Sequence, residues 1–160
     1  MKMNEGVEWA MHSCVNLSWI PGRAVTAKHL AAFYDLPTAY LNKQLQALAR
    51  AGILTSTSGP KGGFQLARDP ERISLLDIVV AIDGAEDAFR CREILKDGPG
   101  ADPKADYVQI CQISQAMRGA ELTYRRELAG RTIAEIADRV VGANPAAPEN
   151  VRRRFDNLKS

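Results

Sequence analysis

The chain has 160 residues, enough for one good core with an appended helix. Hydrophobic residues at 46% and charged residues at 25% are ordinary for a soluble globular protein. No apolar run approaches the ~20 residues of a membrane span and the start does not read as a secretory signal, so no membrane partner is expected and the cytoplasm is the expected location. The net charge of +2 is unevenly placed: up to Arg72 there are eight Lys+Arg against five Asp+Glu, and thirteen against fourteen after it. A basic excess in the first half is mild support for a nucleic-acid face there.

Residues 4 to 19 read as a helix, because Val7, Met11, Cys14, Val15 and Trp19 recur at helical spacing and Pro21-Gly22 follows. Glu8 and His12 lie four apart on one face beside that apolar stripe. Thr26 is the expected N-cap of a short helix from Ala27 to Tyr34. Pro37 suits the first position of the next helix, through Ala49, with Leu41, Leu45 and Leu48 as its buried seam and Gly52 as its stop.

The stretch Leu54 to Arg68 places two short segments of β-formers around Gly59-Pro60-Lys61-Gly62-Gly63. Pro60 fixes φ and lacks an amide donor, and paired glycines permit positive φ, so a hairpin turns there. Two short helices joined by a tight turn and followed by a hairpin make a winged helix-turn-helix. Ser74 then caps a helix from Leu75 to Ile82, stopped by Gly84.

Residues 85 to 105 are rich in Gly, Pro, Asp and Lys and contain Cys91, a loop longer than a connection needs and therefore expected to carry function. A long amphipathic helix is predicted from about Asp106 to Ala129, with Val108, Cys111, Ile113, Ala116, Ala120 and Leu128 available for burial. A helix of that length beyond a small DNA-binding domain is a usual means of dimerisation, so a homodimer is expected. Thr132 caps a last helix, Ile133 to Val141, and the Ala/Pro-rich 142–148 with Arg152-Arg153-Arg154 reads as a mobile tail. The expected fold is mainly α with a small β-hairpin. Its divisions are a winged helix-turn-helix domain over 1–84, a sensor loop over 85–105, a dimerisation helix and C-terminal helix over 106–141, and the tail over 142–160.

The exposed first turns of the second helix of the helix-turn-helix carry Thr38, Ala39, Tyr40, Asn42 and Lys43. Asn hydrogen-bonds adenine edges, Lys meets guanine or phosphate, and Thr and Tyr reach the backbone. Lys61, with Gly62 beside it at the wing tip, suits a minor groove or a phosphate. Any one of these polar residues could simply face water. Turn, helix, wing and proline-glycine tip together point to double-stranded DNA.

Cys14, Cys91 and Cys111 make an odd count without a framework spacing, which favours packing, metal binding or redox sensing over structural disulfides. Cys14 faces the apolar stripe of the first helix and reads as packing, with a reserve role as a ligand should Glu8 not serve. Cys91 lies between Arg90 and Arg92, and neighbouring positive charge favours thiolate. Cys111 on the long helix reads equally as core.

Ala51-Gly-Ile-Leu-Thr-Ser56, the Gly59-to-Arg68 wing and Ile73-Ser-Leu-Leu-Asp-Ile-Val-Val-Ala-Ile-Asp-Gly84 resemble the signature of the IscR/NsrR family, over about residues 3 to 140. The resemblance implies a bacterial winged-helix transcription regulator, typically a homodimer on a pseudo-palindromic operator. It also implies that the loop after Gly84 holds an iron–sulfur cluster or otherwise senses redox state. Typical cluster-binding members have three cysteines there, whereas here Cys91 matches the first and Cys111 the last, with none between. The histidine that some members place three residues after the last cysteine is Ser114. A 2Fe–2S cluster needs four protein ligands. Some members recruit an acidic residue from the partner's first helix, and the implied set here is Glu8 and His12 from one subunit with Cys91 and Cys111 from the other.

Without the resemblance, a Glu–His pair four apart is more often a surface ion pair. Two rivals remain at the level of sequence: a cluster-free thiol switch of Cys91 with Cys111, and a regulator that senses a small molecule or partner protein. An enzyme is disfavoured, because Glu-x-x-x-His stands without an accompanying nucleophile.

Overall fold

The computed structural model describes residues 4–102 and 104–158. Residues 1–3, 103 and 159–160, which belong to the expected DNA-binding, loop and tail segments, lie outside the described residues. Helix α1 (Glu5–Ser18) begins at Asn4, whose side-chain oxygen accepts the Gly6 N–H at 2.9 Å and satisfies one of the free donors of the first turn. Its inner face buries Val7, Ala10, Cys14 and Leu17, and its outer face holds Glu8 and His12 in solvent. Burial pushes the Cys14 thiol up to about 12, so Cys14 is a neutral packing side chain and supplies no thiolate.

Helix α2 (Ala27–Phe33) is capped by Thr26, whose hydroxyl accepts the His29 N–H at 3.2 Å. Helix α3 (Thr38–Arg50) follows with Pro37 as its cap rather than its first helical residue, since Pro37 is extended at ψ 112°. Leu41, Leu45 and Leu48 are wholly buried against α1 and α2. At the end of α3, Gly52 adopts φ +70°, which lets the Ile53 N–H reach back to the Leu48 carbonyl at 3.0 Å.

Strands β1 (Leu54–Thr57) and β2 (Gly63–Leu66) pair antiparallel, Leu54 opposite Leu66 and Thr57 opposite Gly63. Val25 adds a third rung by exchanging both backbone bonds with Phe64, at 2.9 and 2.8 Å. Gly63 permits that approach: its φ is +145°, and a Cβ there would fall 2.5 Å from the Val25 carbonyl carbon. The wing is therefore stitched to the residue that precedes the α2 cap.

Helix α4 (Leu75–Asp83) is capped by Ser74, as the sequence predicts, and Asp77 completes a capping box with it. The long helix expected from Asp106 to Ala129 is broken. Helix α5 (Tyr107–Ile110) ends at Cys111, whose backbone is extended at ψ 115°, and helix α6 (Gln112–Ala129) begins after it. Side-chain bonds account for the break: Asp106 caps α5 by accepting the Val108 and Gln109 N–H groups, the Tyr107 hydroxyl takes the Asp102 N–H at 2.7 Å, and Arg118 reaches back to the Val108 carbonyl at 2.7 Å. The expected burial also differs. Val108, Cys111 and Leu128 are half-buried, Ile113, Ala116 and Ala120 are exposed, and Ser114 is the one fully buried residue of α6.

Helix α7 (Ile133–Ala143) is capped by Thr132, and its start lies beside that of α4 through two backbone bonds of 2.9 Å, Leu75 N–H to Arg131 and Ile133 N–H to Ile73. Residues expected within a mobile tail form helix α8 (Ala147–Asn157). Pro148 stands in its first turn, where a missing N–H costs nothing. Val151 and Phe155 enter the core, with the Phe155 ring 5.5 Å from that of Phe33. Asp156 pairs with Arg23 at 2.8 Å and Arg152 donates to the Trp19 carbonyl at 3.1 Å. No helix among the described residues is long and apolar enough to cross a membrane.

Candidate functional site

Burial of Leu41, Gln44 and Leu45 turns the opposite side of α3 outward, so Thr38, Ala39, Asn42 and Lys43 all face solvent. Lys61 is exposed at the wing tip, and Gly62 beside it is half-buried and packed so close to Thr57 that a Cβ there would fall 2.4 Å from the Thr57 carbonyl oxygen. Tyr40 is placed differently. Its hydroxyl donates to the Asn4 side-chain oxygen at 3.1 Å, and its ring meets Trp9 edge-on with centroids 5.1 Å apart. Tyr40 thus fastens the start of α3 to α1 while remaining 38% exposed.

Glu8 and His12 lie together on α1, at the rim of a cavity of about 470 Å³ between α1, α4 and α7 whose floor is Val7, Met11, Val15, Leu75 and Ile133. The His12 ring stands 5.4 Å from Tyr34, the residue that ends α2 and opens the turn into α3. Cys91 is half-buried in the loop, its sulfur accepting the Glu93 N–H at 3.4 Å in a turn that Glu93 makes with φ +53°. Arg125 of α6 fastens the start of this loop by donating to the Ala85 and Glu86 carbonyls at 3.0 and 3.2 Å, and its own orientation is held by Glu121 at 2.9 Å.

Cys111 occupies the break between α5 and α6, half-buried, and both Cys91 and Cys111 are free thiols. Around it Ile110 is 54%, Ile113 68% and Met117 42% exposed, three large apolar side chains flanking the break and largely open to solvent in the single chain. Among the described residues, no three His, Cys, Asp or Glu side chains of one chain gather as a metal site would require. One chain therefore places Glu8 with His12 and holds the cysteines in a separate segment.

Sequence reasoning missed three positioning contacts. Asn16 donates to the Tyr34 hydroxyl at 2.9 Å, Arg125 holds the loop, and Gln44 packs beneath Gly6, where a Cβ would lie 2.7 Å from its carboxamide. Only Gly6 left a signal, as a glycine inside an otherwise periodic helix.

Comparison with known proteins follows this geometry. The profile of the Rrf2 family, described as an iron-dependent transcriptional regulator, matches residues 3–139. YffB of Lactococcus lactis, named as an HTH-type transcriptional regulator, is 30% identical over 139 residues, 86% of this chain and 88% of that protein. Among solved structures, T. potens IscR superposes with a TM-score of 0.67 at 19% identity, over 90% of this chain and 91% of its own. CymR of B. subtilis, described as the global cysteine regulator, superposes with a TM-score of 0.63 at 18% identity, over 87% and 98%. At those identities the two structures speak for the fold alone. The profile match runs from α1 into α7 and takes in the helix-turn-helix and the wing, so this chain belongs to the Rrf2 family of DNA-binding transcription regulators and is not an enzyme.

Proposed function

We propose that the protein works as a homodimer on a pseudo-palindromic duplex operator, with a 2Fe–2S cluster between subunits whose redox state sets DNA affinity. Glu8 and His12 of one subunit and Cys91 and Cys111 of the other are its ligands. The observation that carries this reading is the separation within one chain: a carboxylate and an imidazole stand exposed at an apolar rim, and the cysteine segment bears an uncovered apolar stripe. A second subunit that covers the stripe brings the two half-sites together. The donor set fits the group, since one carboxylate, one imidazole and two thiolates make the four ligands a 2Fe–2S cluster needs.

When bound, the cluster supplies a change of one electron in charge. The protein's own residues translate it. The His12 imidazole lies against Tyr34 at the turn that leads to α3, so a change at its ring acts next to the DNA-reading helix. On DNA, Thr38 and Tyr40 serve the backbone, Asn42 and Lys43 reach base edges or phosphate, and Lys61 with Gly62 enters the neighbouring groove. Coupling between such sites is typically ~1–3 kcal/mol, about 5- to 150-fold in affinity.

The test is anaerobic purification followed by a visible spectrum with iron and sulfide analysis. Absorption bleached by dithionite, with iron and sulfide in equal amounts, is expected, and His12→Ala should lose the redox response with its circular dichroism unchanged. Colourless protein after reconstitution overturns the cluster. That outcome favours the cluster-free thiol switch, which two half-buried free thiols also suit, and thiol titration before and after peroxide then decides it.

A further inference from the structure

Helix α8 lies beyond the residues matched by the family profile, and it closes a cavity of about 320 Å³ against α1, α2 and α7. Trp19, Phe33 and Tyr34 form an aromatic wall. Phe33 and Tyr34 meet edge to face, centroids 4.8 Å apart and planes at 63°, an arrangement that favours rings stacking or abutting in turn. Asn16 lies in the same wall and is only 2% exposed, and its amide nitrogen donates to the Tyr34 hydroxyl at 2.9 Å. Among the described residues its carboxamide oxygen meets no donor. That oxygen is not sealed from solvent, so it stays free to accept from an occupant of the cavity.

The Tyr34 hydroxyl accepts from Asn16 and keeps its own proton to donate. Asn144 and Asn150 contribute amides from the α7–α8 side. Among the described residues no carboxylate, lysine or arginine lines the cavity, and its polar lining consists of neutral amides and a phenol beside the His12 imidazole. Its volume is at the small end of ligand sites, room for one ring system rather than a dinucleotide.

We infer that this cavity binds a neutral, planar heteroaromatic molecule with a hydrogen-bond donor and an acceptor on one edge, the class that includes nucleobases and nicotinamide. Asn16 Oδ1 receives the ligand's N–H, the Tyr34 hydroxyl donates to its acceptor, and the ring lies against the aromatic wall. His12 borders this cavity as well as the rim that it shares with Glu8, so an occupant touches a residue of the proposed cluster site from the opposite side. Binding itself does not rest on the cluster.

The experiment is saturation-transfer NMR on the full-length Cys91→Ser protein, so that loss of the cluster reading leaves the outcome unaffected. Adenine and nicotinamide are the probes and benzoate is the anionic control. A saturable signal from at least one probe and none from benzoate is expected. Tyr34→Phe should weaken binding about fivefold, the worth of one hydrogen bond. Ala147→Trp, which fills the cavity from α8, should abolish it; if circular dichroism shows that variant unfolded, Val140→Phe fills the same space from α7. Silence from both probes, equal binding of benzoate, an unchanged affinity in Tyr34→Phe, or a signal that survives the filled cavity overturns the assignment.

Discussion

Ile113 offers the sharpest test of the subunit arrangement. It stands two residues beyond Cys111 and is 68% exposed in the single chain. Complete burial of an isoleucine side chain is worth ~1.5–3 kcal/mol, so covering its exposed two-thirds gains about 1–2 kcal/mol per subunit. A two-fold dimer counts the contact twice, about 2–4 kcal/mol. Ile113→Glu removes that gain, and the dimer dissociation constant should rise by about 30- to 1,000-fold. Sedimentation equilibrium over a concentration series measures it, in a Cys91→Ser background so that no cluster helps to hold the subunits. The variant's fold should be intact, because Ile113 contributes almost nothing to the core of its own chain. Association equal to that of the unmodified stripe would refute the reasoning and move the interface elsewhere.

Phe155→Ala should cost ~3–5 kcal/mol, a large share of the ~5–15 kcal/mol that holds a domain together, and a thermal melt reports it. An unchanged midpoint would mean that α8 is not part of the folded body. The Cys14 thiol has a folded-state value raised from 9.0 to about 12, so its contribution to stability is complete below pH 9 and lost as the pH rises from about 9 towards 12. Urea unfolding across that range should fall more steeply for the native chain than for Cys14→Ala; parallel curves would reject the assignment. Lys61→Ala should weaken binding to every DNA sequence alike and lower the slope of log affinity against log salt by about 1, read by fluorescence anisotropy. An unchanged slope would remove the wing tip from the phosphate contacts.

Where local chemistry decides the structure, the sequence was legible. Thr26, Ser74 and Thr132 cap the helices they were expected to cap, and the proline-glycine tip turns the hairpin, because each effect is settled within three or four residues. The break at Cys111 was not legible, since neither glycine nor proline marks it. It depends on Arg118 reaching back to Val108 and on Tyr107 closing the loop onto Asp102, side-chain bonds that periodicity does not register. Helix α8 was hidden by the alanines and prolines before it, although Val151 and Phe155 four apart were its signal. On the site side, the pairing of Glu8 with His12 follows from helical spacing, whereas the Tyr40–Asn4 and Asn16–Tyr34 bonds join residues far apart in the chain.

The stitching of the wing to Val25 has a consequence for how such a protein can be switched. With two backbone bonds joining β2 to the residue before the α2 cap, the hairpin has no hinge of its own. Recognition helix and wing form one rigid reading head. In the proposed dimer, a signal that changes DNA affinity would then move one head relative to the other, like the jaws of a caliper, rather than reshape either. Operators lengthened or shortened by a single base pair at their centre would therefore separate the two signalling states, while isolated half-sites would be bound alike by both.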